Sequence, residues 1–152
     1  MSWLRRNAES IEAIAASITA CVAIAAFSGV FLQLQEADRI QKNTAAREAY
    51  RGHLALATTQ PAFAAPADSC TTLNSDQGGA YAAFVDHLVY SAELMLAADP
   101  SWDGIFIENL LPHAGYVCTG WADPGGPPEL VALLAQFDGA HCAPDIACAS
   151  GQ

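Results

Sequence analysis

The sequence predicts an all-α protein: one N-terminal transmembrane helix extending into a juxtamembrane helix, then a small helical domain of about three helices. Three observations predict it. Ala13 to Leu34, AIAASITACVAIAAFSGVFLQL, runs for 22 residues with no ionisable side chain except the Cys21 thiol. Between Ser10 and Thr59 there is no proline and only Gly29 and Gly52, in a stretch rich in the helix formers Ala, Glu, Arg, Gln and Leu. Beyond residue 80 apolar side chains recur with a helical period, and no alternating run is long enough for a sheet. The expected division is a tail and anchor over 1–34, a juxtamembrane helix over 35–60, and an acidic helical domain with an irregular tail over 61–152.

At about 1.5 Å per residue the apolar run makes a helix about 33 Å long, which matches a hydrocarbon core of about 30 Å. The competing reading is a cleaved signal peptide, with Arg5 and Arg6 as its charged region and Ala26-Phe27-Ser28 as the cleavage site. Signal cores span only about 7 to 15 residues, and this run continues through Phe31 and Leu34. The next apolar stretch, YAAFVDHLVYSAELMLAA, is interrupted by Asp86, His87 and Glu93, so the expected topology is single-pass. Within the span Ala13, Ser17, Cys21, Ala25 and Gly29 fall at successive i+4 positions and form a ridge of small side chains. Such a ridge lets a second helix approach closely, either another copy or a membrane-protein partner. Half of the span is Ala, Ser, Cys or Gly, so composition alone also generates ridges of this kind.

Charge is divided unevenly along the chain. Residues 1–51 carry six basic side chains, Arg5, Arg6, Arg39, Lys42, Arg47 and Arg51, against five acidic ones, for a net +1. Residues 52–152 carry eleven carboxylates and no Lys or Arg. A surface of that sign lacks the cations whose counterion release drives nucleic-acid affinity, so nucleic acid is set aside as a partner. Arg39, Lys42, Arg47 and Arg51 are assigned to the membrane surface, where anionic headgroups attract them, leaving the lipid bilayer as the expected partner. Two basic residues flank the N-terminal end of the span and four flank its C-terminal end, a count that holds the C-terminal domain in the cytoplasm. Against it, a domain free of Lys and Arg crosses a membrane unhindered, which keeps the periplasmic orientation open.

The helix from the span should end near Gln60-Pro61, and PAFAAPADSCTTLNSDQGG should be a connector with at most one short turn. Residues 81–98 place Tyr81, Phe84, Val85, Leu88, Val89, Ala92, Met95 and Leu96 on one face. A further helix should start at DPSW, with Asp99 as cap and Pro100 at its first position. Its apolar residues Trp102, Ile105, Phe106, Ile107, Leu110 and Leu111 surround the axis, so it is expected to be the most buried, and Pro112 to kink or end it. After the turn GWADPGGPP, a short helix from Glu129 to about Phe137 aligns Leu130, Leu133, Leu134 and Phe137. The tail from Asp138 is expected to be irregular.

The segments REAYRGHLALATTQPAFA (47–64), YAAFVDHLVYSAELML (81–96), DPSW (99–102) and HAGYVC (113–118) follow an N-terminal span. In this arrangement the chain resembles a group of small uncharacterised bacterial single-pass membrane proteins with a C-terminal helical domain. The resemblance covers most of residues 11–118, and the absence of Arg and Lys after Arg51 departs from it. It implies an inner-membrane protein with an anchored helical domain and carries no activity.

Chemistry is sparse. Cys118, His141, Cys142 and Cys148 are residue types that hold zinc, but no paired CxxC units are present, and adjacent His141 and Cys142 aim poorly at one ion. Cys70, Cys118, Cys142 and Cys148 alternatively form a disulfide framework with three possible connectivities, among which sequence does not choose; a periplasmic domain would favour a bridge tying the tail, Cys142 to Cys148 or either to Cys118, and a cytoplasmic one reduced thiols. Cys21 is expected to pack in the span as a small apolar residue. Asp86 and His87 are adjacent on a helix and point about 100° apart, so they are not a dyad. His113 is read as a helix-end or packing residue. With no nucleophile elbow, phosphate loop or HExxH motif, neither catalytic residues nor a cofactor are expected. The expectation is a membrane-anchored, non-enzymatic interaction protein, such as an accessory subunit of a larger membrane complex; the alternative is a metal- or redox-responsive module using Cys70, Cys118, Cys142 and Cys148.

Overall fold

The computed structural model describes residues 7–120, 125–143 and 146–148, and every regular element among them is helical. Arg5, Arg6 and residues 121–124 of the GWADPGGPP turn lie outside them. The chain divides into two compact units, 1–41 and 42–152. Helix α1 (Ala8–Thr59) supplies the helical part of the first unit and the opening turns of the second.

In the first unit the apolar side chains of α1 are exposed, from Ile14 at 60% to Phe27 at 76% and Leu34 at 64%. Among the described residues one helix is thus long and apolar enough to cross a membrane, and it lies near the N-terminus. Its hydroxyls suit that setting. Ser17, Thr19 and Ser28 each donate at 2.9 Å to the carbonyl four residues earlier, so no polar group of theirs is left unpaired in an apolar surrounding.

The second unit starts with the last turns of α1, where Ala46, Tyr50, His53 and Ala57 recur at helical spacing and face the core. Helix α1 stops at Thr59, one residue before Gln60-Pro61, as expected. The connector holds two short helices rather than one turn: α2 (Pro61–Ala64) and α3 (Ser69–Leu73). Phe63 anchors α2 with its ring 5.8 Å from Tyr81 and 6.2 Å from Phe84, and Asp68 caps α3 by accepting from the Thr71 amide at 2.5 Å.

Helix α4 (Gly78–Ala98) is the centre of the domain, packing against α3 and, further on, the segments after it. All eight side chains expected on its apolar face are buried. Asp99, held extended by the following proline, ends α4 with its amide on the Met95 carbonyl. Asp99 then caps a 3₁₀ turn (Pro100–Trp102) through the Ser101 amide at 3.0 Å, which displaces the expected helix start to α5 (Asp103–Leu110). A second 3₁₀ turn (Leu111–His113) contains Pro112 and joins α5 to α6 (Ala114–Gly120).

Helix α5 is not the most buried element. Phe106 and Leu110 are inside, but Ile105, and Leu111 in the 3₁₀ turn that follows, are each 43% exposed, because α4 and α7 cover only one side of so short a helix. Helix α7 (Pro128–His141) buries Leu130, Leu133, Leu134 and Phe137 as expected, and runs four residues past Phe137. There the Phe137 and His141 rings meet at 5.0 Å and the Cys142 amide donates to the Asp138 carbonyl, extending the helix into the tail expected to be irregular.

Candidate functional site

Two features of the second unit gather reactive side chains: a disulfide framework and a histidine–tyrosine cluster. Cys70 on α3 is bonded to Cys148, and Cys118 on α6 to Cys142 at the end of α7. Their Cα separations of 5.1 and 5.5 Å are those ordinary disulfides span. Of the weak zinc candidates, Cys118, Cys142 and Cys148 are bound to sulfur, His141 packs on Phe137, and no group of three metal-binding side chains converges among the described residues. Of the anticipated connectivities, Cys118 to Cys142 is present; Cys142 to Cys148 is not. The pairing follows from topology: α6 and the end of α7 come together, while the tail returns to α3.

Gly115 makes that return possible. A Cβ at this position would fall 2.7 Å from Cys70 Sγ and 3.0 Å from Cys148 Sγ, so only glycine lets α6 lie against the disulfide. The Cys148 amide then donates to the Gly115 carbonyl at 3.0 Å. A cleft of ≈ 510 Å³ opens beside this bridge, lined by Asp68, Ser69, Cys70, Leu111, Gly115 and Cys148 among others. Of the two bridge residues Cys148 is buried and Cys70 half-buried.

The cluster is built from three elements. His53 comes from α1, Tyr81, Phe84 and His87 from successive turns of α4, and His113 from the second 3₁₀ turn. Tyr81 Oη and His113 Nδ1 are 2.8 Å apart in the core. The Phe84 ring lies between two histidines, 4.8 Å from His53 and 5.9 Å from His113, and His87 stacks on His53 at 5.8 Å. His53 Nδ1 and His87 Nδ1 are buried with no hydrogen-bond partner from the described residues. Burial, and then the neighbouring His87, lowers the His53 pKa to about 4; burial, and then His53, does the same for His113. Burial also raises Tyr81 to about 12. The His53, His113 and Tyr81 side chains are therefore neutral near pH 7, packed among aromatic rings.

The anticipated helix-packing positions Ala13, Ser17, Cys21 and Ala25 lie exposed along α1, with Gly29 half-exposed and nothing within 4 Å of where its Cβ would stand. Of the anticipated membrane-surface residues, Arg39 donates twice to Glu36, at 2.6 and 3.0 Å, and Arg51 approaches Glu48 at 4.0 Å. Lys42 and Arg47 are exposed. Asp86 and His87 do not pair; Asp86 instead accepts from the Tyr116 hydroxyl at 3.2 Å. His113 is a core packing residue, as read from the sequence. His53 was missed because its stretch reads as juxtamembrane helix, although the 46, 50, 53, 57 spacing marks a buried stripe.

The chain matches no protein-family model, no curated protein and no solved structure.

Proposed function

We propose that the chain is a membrane-anchored, non-enzymatic interaction protein, with residues 13–34 in the bilayer and a disulfide-stapled helical domain beside it. The observation that carries this reading is the double use of α1: its apolar stretch is unburied, while its last turns supply Ala46, Tyr50 and His53 to the domain core. An element that ends inside a folded domain and begins as a lipid-compatible helix suits an anchor. The small-residue ridge is the part of the span suited to a second helix, its own copy or a larger membrane complex.

The domain is assigned to the oxidising side of a bacterial inner membrane. The Lys and Arg count argues for the cytoplasm, but both disulfides join residues distant in sequence, separated by 78 and 24 positions, and such bridges persist where thiols are not kept reduced. The second reading, a redox-responsive module, is favoured by one observation: the Cys70–Cys148 bridge borders an open cleft.

Purification from gently solubilised membranes after cross-linking tests the interaction reading; elution as a lone monomer at every detergent level overturns it. C-terminal reporters active only in the cytoplasm or only outside test the orientation, and a signal from the cytoplasmic reporter alone overturns the assignment. Bridges that resist physiological thiols remove the redox alternative.

A further inference from the structure

Two stretches of helix meet across the histidine cluster, residues 46–57 of α1 and the His87–Ser91 side of α4. The contact is close: the Ser91 hydroxyl lies 2.8 Å from the His87 carbonyl and 3.3 Å from the Ala49 carbonyl, and a Cβ on Gly52 would stand 3.7 Å from His87 Cε1. Two of the rings at the seam, His53 and His113, are buried imidazoles. His53 is 6% exposed and His113 1% exposed, and the His53 ring stacks on His87, so a proton on either buried imidazole would sit among packed rings with little water.

The surrounding groups do little to balance such charge. From α4 the cluster meets Tyr81, Phe84, His87 and Tyr90; from α2, Phe63; from α6, Tyr116. The Tyr81 hydroxyl is engaged by His113 Nδ1, and Tyr116 donates to Asp86. The carboxylates that reach this network, Asp86 and Asp68, act on Tyr116 and Tyr81 rather than on the imidazoles, and Glu48 and Arg51 on α1 are paired with each other at the exposed surface.

We propose that this seam is an acid-release joint, in which protonation of the buried His53 and His113 separates residues 46–57 of α1 from α4. The disulfide-tied part of the domain stays assembled, because Cys70–Cys148 and Cys118–Cys142 hold α3, α6, α7 and the tail together covalently. The depressed basicity of His53 and His113 supports the direction: both are neutral when docked and take up protons on release. The proposal is independent of which side of the membrane the domain faces.

Hydroxyl-radical footprinting of the full chain in detergent micelles, from pH 7 to pH 4.5, reads side-chain exposure without relying on thiol or amide chemistry. Oxidation of Phe63 and Phe84 should rise as pH falls while Phe137 stays protected, the opening equilibrium shifting by up to about a hundredfold per histidine. The His53→Gln/His113→Gln variant should flatten that rise. Should the double variant fail to fold, histidine-labelled NMR titration of the unaltered chain decides instead: two imidazoles should resist protonation until opening begins. Exposure of Phe63 and Phe84 that ignores pH, a double variant with an undiminished rise, or histidines that all titrate as free imidazoles while the domain stays closed would each overturn the joint.

Discussion

Tyr81 Oη and His113 Nδ1 form a buried hydrogen bond 2.8 Å long between α4 and the 3₁₀ turn that carries Pro112. It satisfies two polar groups that the apolar core otherwise leaves without water. Tyr81→Phe should cost about 1–3 kcal/mol, the penalty for leaving the buried His113 Nδ1 without its partner. Pairing it with His113→Leu should cost less than the two single changes added together, as read by denaturant unfolding of the domain in detergent.

Stability should be flat above pH 6.5 and fall as the pH drops toward 4. His53 and His113 have folded-state pKa values lowered to about 4 from an ordinary 6.5, so between those limits the unfolded chain binds more protons. The loss should be on the order of 1–3 kcal/mol per histidine, and unfolding midpoints of wild type and His53→Gln should converge toward pH 4.5.

Adjacent glycines at the start of α4 should respond oppositely to alanine. A Cβ on Gly78 would run into the Leu73 backbone carbonyl, whereas Gly79 has nothing within 4 Å. Gly78→Ala should destabilise by about 1–3 kcal/mol, and Gly79→Ala should be neutral or stabilise by about 0.5–1 kcal/mol through helix propensity. Thermal melts of the two variants check this directly.

Gly115→Ala should act on the Cys70–Cys148 bridge. The neighbouring Ser69 hydroxyl can rotate away, but the disulfide sulfurs are fixed at both ends. A loss of about 1–3 kcal/mol is expected, together with faster modification of Cys70 and Cys148 by thiol reagents after mild reduction.

Removing the bridges should rank by loop length. On the chain-entropy account Cys118–Cys142, spanning 24 positions, contributes about 3.5 kcal/mol, and Cys70–Cys148, spanning 78, about 4.5 kcal/mol when closed alone. Paired Cys→Ser variants should show the outer bridge costing more in unfolding free energy.

The sequence by itself determined what depends on local periodicity and composition. The 22-residue uncharged run, the stripe from Tyr81 to Leu96 and the Leu130 to Phe137 stripe each declare a helix and its buried face, because side chains three and four apart must share a side. Asp99 and Pro100 likewise announce an element boundary through capping chemistry. Only the tertiary structure decided which cysteines pair, because connectivity depends on which distant turns α6 and α7 bring together. It also decided that Ile105 and Leu111 stay exposed, since an apolar residue is buried only where a neighbour covers it. His53 belongs to the same class: its spacing placed it on a stripe, but only the approach of α4, with Phe84 and His87, turned a juxtamembrane histidine into a buried and proton-poor one.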